Sequence, residues 1–209
     1  PVRDPAAWRR FVATAHAQLK ELMTRYGPID YLFYDGCPPP ETWDAAGVNA
    51  ELRRLQPDLL ISDRCRLDED VASSENHLGA HPKPWECCLT MSESWGCNGG
   101  DIHRKSLFAL VQSLASCMHN GGNLLLNIGP LADGSVTHEE QALLEGVGGW
   151  VRRNREAVFG TRPNPFQYCD RRLSCYRDRT AYVALSWYHG PETVLAGIGN
   201  QVLRARLLP

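Results

Sequence analysis

The sequence has no long apolar run. Nothing in its 209 residues approaches the roughly 20 consecutive apolar residues of a membrane-spanning helix. It also has no excess of charge of one sign. Lys and Arg total 22 against 24 Asp and Glu, a net charge of −2, so neither nucleic acid nor a membrane surface is expected as a partner. The eight cysteines (Cys37, Cys65, Cys87, Cys88, Cys97, Cys117, Cys169 and Cys175) contain no C-x-x-C spacing. His77 and His81 are four apart but lie in a Gly- and Pro-containing segment. No metal site and no cofactor are therefore expected, and the cysteines can be free thiols or include a disulfide. No Gly-rich phosphate loop follows a predicted strand, which argues against a nucleotide-binding sheet. No Gly-x-Ser-x-Gly elbow or Ser-His-Asp signature supports an esterase or peptidase. There is no internal repeat. The chain starts at Pro1, without Met or a signal peptide, and stops at Pro209 just after a predicted strand, so it is expected to be a piece of a longer protein.

What is present is an ordinary globular composition, 43% hydrophobic and 22% charged, organised around Tyr26-Gly-Pro-Ile-Asp-Tyr-Leu-Phe-Tyr-Asp-Gly36. Gly27 and Pro28 stop the helical pattern before them. Residues 29–34 are β-branched and aromatic and read as a strand buried on both faces, as in a parallel sheet. Asp35 follows at its C-terminal end, where α/β folds place their chemistry. The same Asp can equally cap a turn.

Around this stretch helices and strands alternate. Asp4-Pro5 opens a helix whose apolar positions are Trp8, Phe11, Val12, Ala15, Leu19, Leu22 and Met23. A helix is predicted over 42–56 and a strand over 58–62, ending in Asp63-Arg64. Residues 65–83 read as a long polar loop, more often functional than not at that length. A strand over 85–91, a helix over 105–119 and a strand over 123–128 follow. The last helix is predicted over 137–159, opened by the capping-box pair Thr137 and Glu140. The alternation predicts a parallel α/β arrangement, either a small open sheet or part of an eight-stranded barrel. After Gly160, residues 174–187 and 191–198 read as antiparallel strands with a turn at His189-Gly190-Pro191.

A barrel would bring the strand ends to one face: Asp35, Arg64, Glu75 in the long loop, Glu86 on the third strand, Trp95 after it, and Asn127 with Asp133. Paired carboxylates and an exposed Trp suit glycoside hydrolysis, in which one carboxylate attacks the anomeric carbon, the other protonates the leaving oxygen, and an aromatic face packs on sugar C–H groups. The bland readings are that Arg64 pairs with Asp63 or Asp68, that Trp85 is core, that Asn127 holds loop backbone, and that Asp133-Gly134 is a turn.

The residues resemble the α-L-fucosidases of glycoside hydrolase family 29, from about Trp8 to Arg162. The resemblance rests on the 26–36 stretch, Ser62-Asp-Arg64, Pro84-Trp-Glu86, Ser94-Trp-Gly96, Gly121-Gly-Asn-Leu-Leu-Leu-Asn-Ile-Gly-Pro130 with Asp133-Gly134, and Glu156-Ala-Val-Phe-Gly-Thr-Arg162. It implies the C-terminal part of a (β/α)8-like barrel over residues 1–162, followed by the start of an antiparallel β-sandwich over 163–209. It implies a retaining exo-glycosidase acting on terminal α-L-fucosyl residues of glycans, with Asp35 as nucleophile. Arg64, Phe33 and Trp95 then line the sugar site. Glu75 matches the usual position of the acid/base, with Glu86 as its rival and Glu93 and Asp101 as more distant candidates. Similar enzymes are often secreted, periplasmic or lysosomal. The early barrel strands that hold fucose hydroxyls in the family are missing before Pro1, so this chain alone is expected to be inactive. A glycan-binding homologue without turnover and an α-L-galactosidase are the competing readings.

Overall fold

The computed structural model describes residues 4–166, 173–186, 190, 192, 194, 195 and 197–208. The chain divides into two compact units, Pro1–Ser73 and Ser74–Pro209.

In the first unit, Asp4 caps helix α1 (Pro5–Arg25): its carboxylate accepts the Ala6 and Ala7 N–H groups, while Pro5 at the first position needs no acceptor. Gly27, at φ 81°, then turns the chain into β1 (Tyr31–Leu32). Helix α2 (Ala45–Leu55) follows a short 3-10 turn at Pro40–Thr42 and leads to β2 (Leu60–Ile61), which pairs in parallel with β1. Both strands are shorter than the predicted 29–34 and 58–62. The reason is local: the Ser62 hydroxyl, rather than a carbonyl, accepts the Tyr34 N–H at 3.1 Å, and the backbone leaves the ladder into a 3-10 turn at Asp63–Cys65. The core here is Leu32, Tyr34, Trp43, Val48, Leu52, Leu59 and Ile61, with Met23 from α1.

The 65–83 segment is not one long loop. It contains strand β3 (Ala72–Glu75), inside which the two units divide. The three-stranded sheet runs in the order β3, β4 (Trp85–Thr90), β5 (Asn123–Asn127). The Ser74 hydroxyl donates to the Glu86 carbonyl at 3.3 Å and the Asn76 N–H to the Cys88 carbonyl at 3.0 Å. Both strands advance by two together, so β3 runs parallel to β4. Strands β4 and β5 are also parallel, with Glu86 opposite Asn123 and Thr90 opposite Asn127. Helix α3 (Leu107–His119) connects them, its Leu110 packing on Leu89 and Met91. Trp85 is core: its ring lies where a Cβ on Gly122 would stand, only 2.1 Å away, so that position requires glycine.

The predicted 137–159 helix is two helices, α4 (His138–Arg153) and α5 (Arg155–Val158), because Asn154, at φ −108° and ψ 20°, leaves helical geometry while its N–H still closes the last turn of α4 on the Trp150 carbonyl. The predicted 174–187 strand is instead an antiparallel hairpin in itself, β6 (Ser174–Arg177) with β7 (Thr180–Val183), turning at Asp178-Arg179. Asp178 takes the left-handed conformation, at φ 54°, that a two-residue hairpin needs. Of the turn predicted at His189-Gly190-Pro191, His189 and Pro191 lie outside the described residues, and the described residues of the predicted 191–198 strand, 192, 194, 195, 197 and 198, are not in a strand.

Candidate active site

In the first unit the strand ends converge. Asp35 lies three residues past β1, exposed, with Gly36 at φ 65° turning the chain away behind it. Arg64 lies in the 3-10 turn after β2. Its Nη2 donates to Asp35 Oδ1 at 2.7 Å, and its guanidinium carbon sits 5.1 Å from the centre of the Phe33 ring. Phe33 meets Tyr31 edge-on at 6.3 Å. Three of the residues singled out from the sequence, Phe33, Asp35 and Arg64, are thus one contiguous group. The Arg64 side chain is only 21% exposed while that of Asp35 is 77% exposed, so the arginine is fixed in the wall and the carboxylate stands out toward solvent.

A buried polar network stands directly beneath. The Tyr34 hydroxyl donates to Asn49 Oδ1 at 2.7 Å, and Asn49 Nδ2 donates to Glu69 Oε1 at 2.7 Å. Arg53 bridges Glu69 and Asp70, and Asp70 Oδ2 also accepts the Ile61 N–H at 2.9 Å. Burial pushes the Tyr34 phenol up, reinforced by Cys65, Cys37 and Glu69, so it stays a neutral donor. Burial would raise the Asp70 carboxyl, but hydrogen bonds from Arg53 and the Ile61 N–H outweigh it and hold the group below the usual carboxylate range. The sequence gives little warning of this network, because Asn49, Glu69 and Asp70 read there as an ordinary polar helix face and loop.

In the second unit, Glu75 is the exposed last residue of β3, not a loop residue as expected from sequence. Glu86 is the half-buried second residue of β4, opposite Asn123 at the start of β5. It therefore sits at the N-terminal end of its strand, four residues short of Thr90, or about 13 Å at the usual strand rise. Trp95 projects from the loop beyond the C-terminal end of β4, its side chain exposed. Asn127, at the end of β5, donates to the Trp95 carbonyl at 2.7 Å, the loop-holding role that its position suggested. Gly129 lies against the same loop: a Cβ there would meet the Gly96 carbonyl carbon at 2.7 Å and the Cys97 nitrogen at 2.9 Å.

Asp101 is buried in that loop and receives the Ser94 N–H and hydroxyl and the Asn98 amide. Burial would raise its carboxyl, but the bonds from Ser94 and Ser92 and the Arg104 charge outweigh it and hold the group below the usual range. A carboxylate kept ionised and occupied on both oxygens is a poor proton donor. Asp133 accepts the Ser135 N–H and hydroxyl and closes a turn, as the sequence suggested. Among the described residues, no group of three His, Cys, Asp or Glu side chains could hold a metal ion.

The family model described as alpha-L-fucosidase matches residues 3–156. Human plasma alpha-L-fucosidase is 30% identical over 159 residues, covering 69% of this chain and 34% of its own length. Among solved structures, alpha-L-fucosidase isoenzyme 1 from Paenibacillus thiaminolyticus superposes with a TM-score of 0.73 at 30% identity, covering 81% of this chain and 45% of the other. A Bacteroides thetaiotaomicron alpha-L-fucosidase, solved as a trapped covalent intermediate with 2-fluoro-fucosyl fluoride, gives 0.75 at 26% identity, covering 84% and 47%. The chain thus spans between a third and a half of the length of these relatives, and its α/β architecture is consistent with part of their barrel. With the family model matched over most of its length and its own strand-end motifs in place, this chain belongs to the α-L-fucosidase family.

Proposed function

We propose that the chain supplies the nucleophile-bearing part of a retaining exo-α-L-fucosidase that removes terminal α-L-fucosyl residues from glycans. The observation that carries this reading is the Asp35–Arg64–Phe33 group at the C-terminal ends of two parallel strands. Asp35 attacks the anomeric carbon from the face opposite the aglycone and forms a glycosyl ester with inverted configuration. Glu75 gives its proton to the departing oxygen, then takes one from the water that opens the ester, and the second inversion restores the α configuration. Arg64 orients the Asp35 carboxylate through its hydrogen bond. Phe33 and Trp95 offer faces to the sugar's C–H groups and methyl. The covalent intermediate trapped on the Bacteroides relative supports a two-step route. Glu75 is preferred to Glu86 because it ends its strand, whereas Glu86 begins one.

Residues 1–162 form part of the catalytic barrel in this reading, and 163–209 begin a β-sandwich. The change from parallel pairing before residue 162 to the antiparallel β6–β7 pair after it supports that division. Because the chain spans less than half of its relatives' length, hydrolysis is assigned to protein of the relatives' full extent. The 209 residues alone are expected to lack part of the sugar-holding shell and to be inactive.

Asp35→Ala in such full-extent protein, assayed with an aryl α-L-fucoside, is expected to lose nearly all turnover and to recover part of it with azide, giving the β-fucosyl azide. Undiminished turnover in Asp35→Ala would remove the proposal. Running the aryl α-L-galactoside alongside separates the two sugars, because an added hydroxyl is rejected only about 100-fold by a pocket that merely fits its absence. Binding without turnover of either would indicate a glycan-binding protein instead.

A further inference from the structure

The loop between β4 and α3 has no regular secondary structure over residues 92–104, yet it is held at both faces. Its stem is closed where the Lys105 N–H donates to the Met91 carbonyl at 2.8 Å and Lys105 Nζ to Thr90 Oγ1 at 3.2 Å. Inside it, the Asp101 carboxylate gathers three donors: Ser94 N–H on Oδ2 at 2.9 Å, and the Ser94 hydroxyl and Asn98 Nδ2 on Oδ1, each at 3.0 Å. Ser94 immediately precedes Trp95. On the other face, Asn127 holds the Trp95 carbonyl and Gly129 packs on the Gly96–Cys97 peptide. The backbone on either side of Trp95 is therefore fixed, while the residue as a whole remains 42% exposed. Such a fixed and uncovered indole is an arrangement for meeting something from outside.

We propose that Asp101 is a positioning residue: by fixing the Ser94 backbone it sets the angle at which the Trp95 ring meets the sugar. This rests on the reading of Trp95 as a sugar-facing platform. The physical reason for needing such a bracket is the steepness of dispersion, since a gap of about 0.5–1 Å already forfeits a quarter to a half of each contact. A ring on a loop with no ladder of its own keeps that gap closed only if side chains replace the missing backbone bonds. Asp101 was a distant acid/base candidate from sequence; here it acts through Trp95 and touches no substrate.

The test is hydrogen exchange over residues 92–101, with acrylamide quenching of Trp95 read as the difference from Trp95→Phe. Asp101→Asn keeps the shape but turns one acceptor into a donor. It is expected to speed exchange in this segment about tenfold, as loss of a charge-assisted hydrogen bond does, and to raise quenching of Trp95, while β4 and α3 keep their protection. Asp101→Glu, which keeps both acceptor oxygens and the charge, is expected to restore part of both signals. If Asp101→Asn does not fold, Asn98→Ala removes one exposed donor to the same carboxylate and is expected to give a smaller change in the same segment. Unchanged exchange over 92–101, or an equal rise across β4 and α3, overturns the proposal. The affinity of Trp95→Ala for an aryl α-L-fucoside tests the underlying reading separately. An unaltered affinity would remove the sugar-facing role of Trp95 and leave the exchange result standing.

Discussion

Asp35 and Arg64 form an ion pair whose acidic member is largely in water, and such pairs contribute little to stability, about 0–1 kcal/mol. That sets apart the two roles Arg64 can have. If it serves the reaction, Arg64→Ala leaves the thermal midpoint nearly unchanged and removes most of kcat/KM. Arg64→Lys, which keeps the charge but loses the planar fork and the stacking on Phe33, falls about tenfold or more in kcat/KM. If it serves only the fold, the midpoint drops and the activity of folded protein survives. The carboxylates on β3 and β4 separate in a different way. An aryl leaving group needs little protonation, so Glu75→Ala is expected to slow natural glycans far more than aryl fucosides and to remove the basic limb of the pH–rate profile. The same signature in Glu86→Ala, with Glu75→Ala unaffected, would reverse the assignment.

At the scale of elements, the strand ends that carry Phe33, Asp35 and Arg64 stand on the Tyr34–Asn49–Glu69–Arg53–Asp70 network. The folded Asp70 carboxyl titrates below its unfolded value, so its contribution is complete above about pH 3.9 and is lost as pH falls through the folded value. Arg53→Gln removes what holds it down and is expected to move the acid unfolding transition, followed by near-ultraviolet circular dichroism, to higher pH. An unmoved transition would mean the network does not support this unit. Leu52, fully buried between α2 and the strands, is expected to cost about 2–5 kcal/mol as Leu52→Ala in chemical denaturation.

Much of this element plan was legible in the sequence. Helices α1, α2 and α3 were all expected from the sequence, α1 by its 3.6-residue apolar spacing and its Asp4-Pro5 start; that Ser106 caps α3 was not read there, since the predicted helix began at residue 105. Strand β5 shows as an apolar run between Gly122 and Gly129. Strand β3 was hidden, because Ala-Ser-Ser-Glu carries no apolar alternation and is held by pairing with β4, a contact between distant residues that local pattern cannot register. The split at Asn154 was hidden because a polar residue suits a helix surface as well as a helix end. Among site residues, Asp35 and Arg64 stood out by their place after strands. The Asp101 bracket did not, since its partners are loop donors without a period.

At the scale of the molecule, the residues to which the proposal gives roles fall in both compact units: Phe33, Asp35 and Arg64 in the first, Glu75 and Trp95 in the second. A chain spanning 34% to 47% of its relatives' length is expected to need the remainder for turnover. Comparable rates of aryl fucoside hydrolysis by the 209 residues and by full-extent protein would show that the site is already complete here. The claim on which all else depends is that Asp35 bonds to the sugar. The most direct measurement is covalent labelling of full-extent protein with 2-fluoro-fucosyl fluoride, the reagent with which a Glu→Gln variant of the Bacteroides relative was trapped, followed by peptide mapping in a mass spectrometer. The electronegative fluorine slows both steps by destabilising the oxocarbenium-like transition state, and the good leaving group lets the ester accumulate. The account predicts a single fluorofucosyl adduct on the peptide bearing Asp35, absent from Asp35→Ala. An adduct on another peptide, or undiminished labelling of Asp35→Ala, would contradict it.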